Sequence, residues 1–283
     1  KYKVVVRDNG PGIVKKQISR IFGKLLYGSK FHRLLQSRGQ QGIGVSGCVL
    51  YAQITTGEPT TIITSTGDGK THKYKIKIDV KKNEPQIVEG SVSEGDKWHG
   101  VQATFIAEGL YREHKQSVVE YLKQTAISNP HAHIVFDSPN GRMEFHRGVE
   151  TLPKEPSEIK PHLMGTEVGT MTRMLQETKA RSFAGFLTTE FSRVGKTTAL
   201  EVSKKAGIDP MISPRKLEHK QVTDMIDAIK EVKLTRPPTD CLSPLGDSLV
   251  TSGLEKELSP EFVASISRSP AVYRGWPFQV EVG

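Results

Sequence analysis

Cysteine is scarce in this chain: 283 residues contain two, Cys48 and Cys241, far apart. Two isolated thiols provide neither a disulfide framework nor the paired spacing of a zinc site, so a reducing, cytoplasmic setting is expected. Cys48 stands in an apolar stretch and reads as a core thiol. The histidines also lack grouping. His32, His114, His131, His133 and His146 show no ligand-like spacing with cysteines or carboxylates, so none is assigned to a metal. No hydrophobic run approaches the roughly 18 residues needed to cross a bilayer, and no leader peptide is visible, so no membrane partner is expected. There is no internal repeat. Acidic residues are outnumbered, 31 to 40, which leaves a formal net charge of +9 and favours polyanionic partners through counterion release.

What is present begins with two glycine-rich signatures. Asp8-Asn9-Gly10-Pro11-Gly12 follows the apolar run Val4-Val5-Val6, and Gly39-Gln40-Gln41-Gly42-Ile43-Gly44 leads into the apolar stretch at residues 45–52. A carboxylate at a strand end can accept a hydrogen bond from the exocyclic amine of adenine. Gly10 and Gly12 let the backbone approach a ring where a side chain would collide. At the second signature, bare amides running into a helix N-terminus form an anion site for phosphates, and Ser46 could add a hydroxyl. Ser29, Lys30 and Arg38 lie in or beside the same loop and could neutralise phosphate charge. Taken singly, each signature also reads as a plain turn or a glycine loop. Gly195-Lys196-Thr197 imitates the end of a P-loop, but Glu190 stands where the first glycine is required and no strand precedes it.

Periodicity organises the rest. Residues 1–7, 60–66, 72–80, 86–92 and 101–106 read as strands, with a Gly67-Asp68-Gly69 turn between the second and third. Residues 14–22, 45–53 and 114–128 read as helices, and Asn140-Gly141 marks a hairpin. This is an α+β layered domain with a largely antiparallel sheet, at residues 1–152. A proline-bearing linker (Pro153, Pro156, Pro161) follows. Helical spacing of Met171, Leu175, Phe183, Phe186, Leu187, Met225 and Ile229 then predicts a small four- or five-helix module at 162–234, with the phenylalanines in its core. From Arg236-Pro237-Pro238 the chain returns to loop and strand character, giving a third segment at 235–283. The module's surplus of basic residues, among them Arg173, Lys179 and Lys204, is interleaved with Glu167, Glu177 and Glu201. Any DNA contact there should be mostly to backbone phosphate. The chain starts inside one strand-like run and stops in another, so both ends are expected to be internal to a longer protein.

The two signatures together resemble the ATPase superfamily shared by gyrase, heat-shock protein 90, histidine kinases and MutL. The strings Phe22-Gly23-Lys24-Leu25-Leu26-Tyr27-Gly28-Ser29-Lys30-Phe31, Thr125-Ala126-Ile127-Ser128-Asn129-Pro130 and Pro237-Pro238-Thr239-Asp240-Cys241-Leu242 are more narrowly similar to the B subunit of archaeal DNA topoisomerase VI. That resemblance covers essentially the whole chain. It implies a Bergerat-type ATPase α/β sandwich with a mostly antiparallel mixed sheet, a helix-two-turn-helix domain and the start of an α/β transducer. It implies ATP and Mg2+ as cofactors, with Asp8 reading adenine and Gly10 and Gly12 beside it. Ser29 and Lys30 would come from the lid, and Gly39, Gln40, Gln41, Gly42, Ile43, Gly44, Val45 and Ser46 would cradle the phosphates. The implied partners are the DNA-cleaving A subunit of topoisomerase VI in a heterotetramer, double-stranded DNA, and a second B subunit on ATP binding. The general-base glutamate and the magnesium-binding asparagine are expected upstream of Lys1, and the switch lysine beyond Gly283. This stretch alone is therefore expected to bind nucleotide poorly and hydrolyse it negligibly. One departure stands inside the chain. Val101 occupies a position where the family usually has threonine, and Thr104 could replace it only if the strand slips. Another ATPase of the same superfamily, or an inactive interaction protein that kept the fold, remain the alternatives.

Overall fold

In the computed structural model, residues 1–28, 33–39, 41–95 and 97–283 are described. Ser29, Lys30 and Gln40, assigned above to the nucleotide, lie outside these residues. The chain divides into two compact units, Lys1–His32 with Ser37–Arg112, and Arg33–Gln36 with Glu113–Gly283.

The first unit is a sheet covered by two helices. Its elements are β1 (Tyr2–Arg7), α1 (Lys15–Gly23), α2 (Gly44–Thr56), β2 (Thr60–Thr66), β3 (Lys70–Asp79), β4 (Glu84–Glu94) and β5 (His99–Ala107). The strand order is β1-β5-β2-β3-β4. Every pairing is antiparallel, so the expected mixed sheet has no parallel pair among the described residues. Successive side chains of a strand point to opposite faces, and the apolar positions of the central strands follow that period. Ile62, Ile76, Ile78, Ala103 and Phe105 face Ile18 and Phe22 of α1 and Val49 and Ala52 of α2. Gly23 ends α1 against β4, where an added Cβ would lie 2.5 Å from the Pro85 Cβ. Cys48, expected in the core, is exposed, because the buried stripe of α2 is Ser46, Val49 and Ala52.

The second unit contains α3 (Val118–Ile127), β6 (Ile134–Ser138), β7 (Gly141–Phe145), α4 (Val168–Glu177), α5 (Phe183–Glu190), α6 (Lys196–Lys205), α7 (His219–Lys230), α8 (Asp247–Leu258) and four short strands, β8 (Ile266–Ser267), β9 (Ala271–Tyr273), β10 (Trp276–Phe278) and β11 (Glu281–Val282). Helices α4 to α7 share one core in which Met171, Phe183, Phe186, Leu187 and Met225 are fully buried. Phe186 and Phe191 meet edge to face with centroids 5.5 Å apart. Ser182 caps α5 by accepting from the Gly185 amide at 3.2 Å, and Glu218 with Gln221 forms a capping box on α7. The β6–β7 turn falls one residue earlier than Asn140-Gly141 suggests. Ser138 pairs with Gly141, so Pro139 and Asn140 form the loop.

Helix α8 departs from the expectation of loop and strand beyond residue 236. Its sequence, DSLVTSGLEKEL, interrupts the apolar spacing with Thr251, Ser252 and Gly253. Tertiary contact explains the glycine: a Cβ at Gly253 would collide with the Ile127 carbonyl oxygen of α3. Part of the glycine-rich loop also belongs to this unit. The Gln36 amide donates to the Cys241 carbonyl at 2.8 Å, the Ile159 amide to the Leu34 carbonyl at 3.1 Å, and Arg33 pairs with Glu158 at 3.0 Å. Among the described residues, no helix is long and apolar enough to cross a membrane.

Candidate nucleotide site

Asp8 leaves β1 at the point where β5 begins its pairing. Its amide donates to the Val101 carbonyl at 2.9 Å, and its Oδ1 accepts from the Val101 amide at 3.2 Å and from the Gly10 amide at 2.9 Å. Both side-chain bonds land on Oδ1, and Oδ2 has no partner among the described residues. The carboxylate is thus oriented by two backbone donors, with one oxygen left to accept a bond.

Glycine is required around this carboxylate for reasons internal to the protein. Gly100 has φ +132°, and an added Cβ would collide with the Asp8 carbonyl oxygen. Gly12 has φ +72°, and a Cβ there would collide with the Ser65 carbonyl oxygen of β2. Gly10 is less constrained by the fold; its Cβ would meet Asp8 Oδ1 at 3.0 Å. Thr64 ties the turn to the sheet. Its buried hydroxyl donates to the Gly100 carbonyl at 2.8 Å and accepts from the Ile13 amide at 3.0 Å. His99 Nδ1 lies 2.8 Å from the Gly10 carbonyl.

The register of β5 decides the question of the missing threonine. Val101 pairs with Thr64, whereas Thr104 pairs with Thr61 and Val5. Three positions along a strand place Thr104 on the opposite face and about 10 Å away. The strand does not slip, so the residue beside Asp8 is valine.

The second signature is built differently. The Leu26 amide donates to the Gly42 carbonyl at 3.0 Å. Gly42 has φ +64°, and a Cβ there would lie 2.5 Å from the Tyr27 carbonyl oxygen. Gly39 is also left-handed, at φ +66°, but a Cβ there, as at Gly44, would meet nothing within 4 Å among the described residues. Gln41 and Ile43 are exposed, and Val45 packs against the first unit's core. The first-turn amides of α2, like those of any helix, have no intrahelical partner, and among the described residues no side chain caps them. Ser46 does not add a hydroxyl to that surface. It is buried, and its Oγ donates back to the Gly42 and Ile43 carbonyls at 3.2 Å.

Two positioning residues escape a reading of the sequence. Thr64 looks like an ordinary strand threonine. Asn83 sits in the Lys81-Lys82-Asn83 turn, accepts from the Leu25 amide at 2.8 Å and donates to its carbonyl at 3.1 Å. Asn83 takes the left-handed region, φ +51°, which asparagine enters more readily than most residues. The histidine assignment also changes. His133 and His146 do group with a carboxylate, Glu144, in space. They are 13 residues apart in sequence and meet because β6 folds back onto β7.

Known proteins resemble this chain over its whole length. The model for the topoisomerase VI B subunit transducer matches residues 237–283. The type 2 DNA topoisomerase 6 B subunit of Methanococcoides burtonii is 48% identical over 283 residues, covering 99% of this chain and 46% of that protein. The protein of the same name from Archaeoglobus fulgidus is 47% identical, covering all of this chain and 47% of its own length. That of Thermococcus gammatolerans is 41% identical, with 100% and 59% covered. A solved structure, the N-terminal domain of a DNA repair protein, overlaps 50% of this chain and 42% of its own at 16% identity and a TM-score of 0.32, too slight a likeness to build on. The chain spans about half the length of the curated relatives it matches. Over the length it spans, the chain is similar throughout to the B subunits of type 2 DNA topoisomerase 6, and its last segment matches their transducer.

Proposed function

We propose that this chain is the ATP-binding portion of a type IIB topoisomerase B subunit, which closes on a second B subunit when ATP binds. Closure would trap one DNA duplex. The transducer would pass it to an A subunit that cleaves and rejoins another, so that supercoils relax and catenanes separate. ATP acts here by favouring the closed state over the open one, and hydrolysis resets it. The observation that carries the nucleotide reading is Asp8, whose Oδ1 is fixed by two amides while Oδ2 stays open.

The residues fit ATP in kind. Asp8 Oδ2 accepts the adenine amine, Gly10 and Gly12 hold the turn beside it, and the uncapped start of α2, from Gly42 and Ile43 through Gly44, Val45 and Ser46, offers amides to phosphate. Gly39, Gln40 and Gln41 would belong to the same phosphate cradle, and Ser29 and Lys30 would meet the nucleotide from the lid. Bound ATP supplies the γ-phosphate whose presence defines the closed state. Mg2+ is assigned to no residue of this chain, since its asparagine and the general-base glutamate are expected before Lys1. In this reading residues 1–152 form the Bergerat-type domain, 162–234 the helix-two-turn-helix domain and 235–283 the start of the transducer. The self-contained core of α4 to α7 supports the second division. Val101 beside Asp8 favours one rival, a fold-retaining protein without turnover.

Asp8→Asn separates the two. An asparagine Oδ1 can still accept from Gly10 and Val101, but the amide nitrogen in the Oδ2 position donates and cannot receive the adenine amine. The test is ATP binding and turnover by the longer parent protein, with and without DNA and its A partner. Loss of binding in Asp8→Asn and Asp8→Ala, with strand passage by the unmodified protein, is the expected result. A parent protein that binds no nucleotide leaves only an ATPase-shaped scaffold.

A further inference from the structure

The β6–β7 hairpin carries a cluster that nucleotide chemistry does not use. Ile134 pairs with Phe145 and Val135 with Glu144, so continuing the register outward sets His133 opposite His146. Residues two apart on a strand share a face, which puts Glu144 beside both rings. The imidazole centroids are 5.1 Å apart. Glu144 Oε2 lies 3.6 Å from His133 Nε2 and 3.9 Å from His146 Nε2, and one ligand atom from each of the three residues lies within 4.8 Å of the other two.

These separations are too long for hydrogen bonds. The two carboxylate–imidazole separations are within about 0.6 Å of the roughly 3.3 Å between ligand atoms around a tetrahedral ion with bonds of about 2.0–2.1 Å, so small side-chain rotations would close the set on an ion. The other carboxylate oxygen is already engaged: Arg142 Nε donates to Glu144 Oε1 at 2.8 Å, an outer contact that fixes the orientation of the ligand. Asp137 stands 3.8 Å from the same guanidinium and offsets its charge, leaving the cluster with one net negative charge when the imidazoles are neutral.

We propose that His133 Nε2, His146 Nε2 and Glu144 Oε2 bind one zinc-class divalent cation, with the fourth position open to water. Two imidazoles and one carboxylate are a donor set that zinc accepts and that leaves an exchangeable site. The cation would clasp the open end of the hairpin. At that end Lys256 of α8 donates to the His146 carbonyl, so the clasp would also steady the contact with α8.

The test uses this chain with any purification tag removed. Zinc titration by calorimetry should give one site per chain. His133→Ala or His146→Ala should each lower affinity about tenfold or more, since even outer-sphere changes at such sites cost about 10- to 100-fold. With cobalt as the probe, the visible absorption of a four-coordinate ion should appear in the parent and vanish in the double variant. All three side chains are solvent-accessible, so the variants should keep the parent's melting curve in metal-free buffer. Absence of stoichiometric binding at micromolar zinc would overturn the proposal. So would binding, or a cobalt spectrum, that survives the double substitution.

Discussion

At Gly100 the chain passes directly over the Asp8 carbonyl, in a backbone conformation that side chains rarely adopt. Gly100→Ala therefore combines strain with a backbone collision. It should destabilise the first unit by about 2–3 kcal/mol or more, read by chemical denaturation. Because the Asp8–Val101 exchange of bonds sits in the same turn, nucleotide binding should fall with it. Val101 poses the opposite case. It pairs with Thr64 beside Asp8 and is only half-buried. Val101→Thr should cost about 1 kcal/mol or less and should raise nucleotide affinity if the hydroxyl is what the site lacks. Unchanged affinity would show that Asp8 and the glycine turn suffice without it.

The helices of the second unit draw stability from different sources. Phe186 is fully buried against Phe191, and Phe186→Ala should cost about 3–5 kcal/mol through lost burial and the cavity left behind. Ser182→Ala removes only the cap of α5 and should cost about 1 kcal/mol. Urea melts of the two variants should therefore separate clearly. In the sheet of the first unit, Lys75 on β3 pairs directly with Glu89 on β4, with Nζ and Oε2 2.7 Å apart. The Lys75 hydrogen bond, then its charge, holds the Glu89 carboxyl below its usual range. A lowered carboxylate pKa gives stability that is present above the unfolded-state value and is lost as pH falls through the folded one. Both groups are exposed, so the effect is small. Thermal melts should show the parent ahead of Glu89→Gln at neutral pH and level with it in acid.

For the whole molecule, the separation of cores has a consequence for folding. Every residue of the α4–α7 core lies between Leu163 and Leu234, and the core of the first unit draws on none of them. A fragment spanning residues 160–236 should fold alone, with a cooperative helical melt by circular dichroism. A non-cooperative signal would tie the module's stability to the rest of its unit. The net charge of +9 sets the expectation for DNA. Binding should weaken steeply with salt and discriminate little between sequences, as phosphate contacts do.

The sequence by itself determined the elements whose signal is local. A valine run marked β1, short strand-like runs marked β2 to β5, helical patterns marked α1, α2, α4, α5 and α7, and the two glycine clusters marked the turns around Asp8 and before α2. The family was also legible there, because long strings such as Phe22 to Phe31 survive without any knowledge of contacts. What only the tertiary structure decided are relations between distant residues. The pairing of Val101 with Thr64 placed Val101 beside Asp8 and Thr104 three residues along the strand, on its other face. The Ile127 carbonyl explained Gly253 and, with it, a helix whose own sequence reads poorly. Ser46 turned its hydroxyl inward, Cys48 faced outward, and His133 met Glu144 and His146 across a hairpin. Periodicity reports which face of an element is buried. It carries no information on strand register or on which residues two elements bring together, and those contacts made both candidate sites.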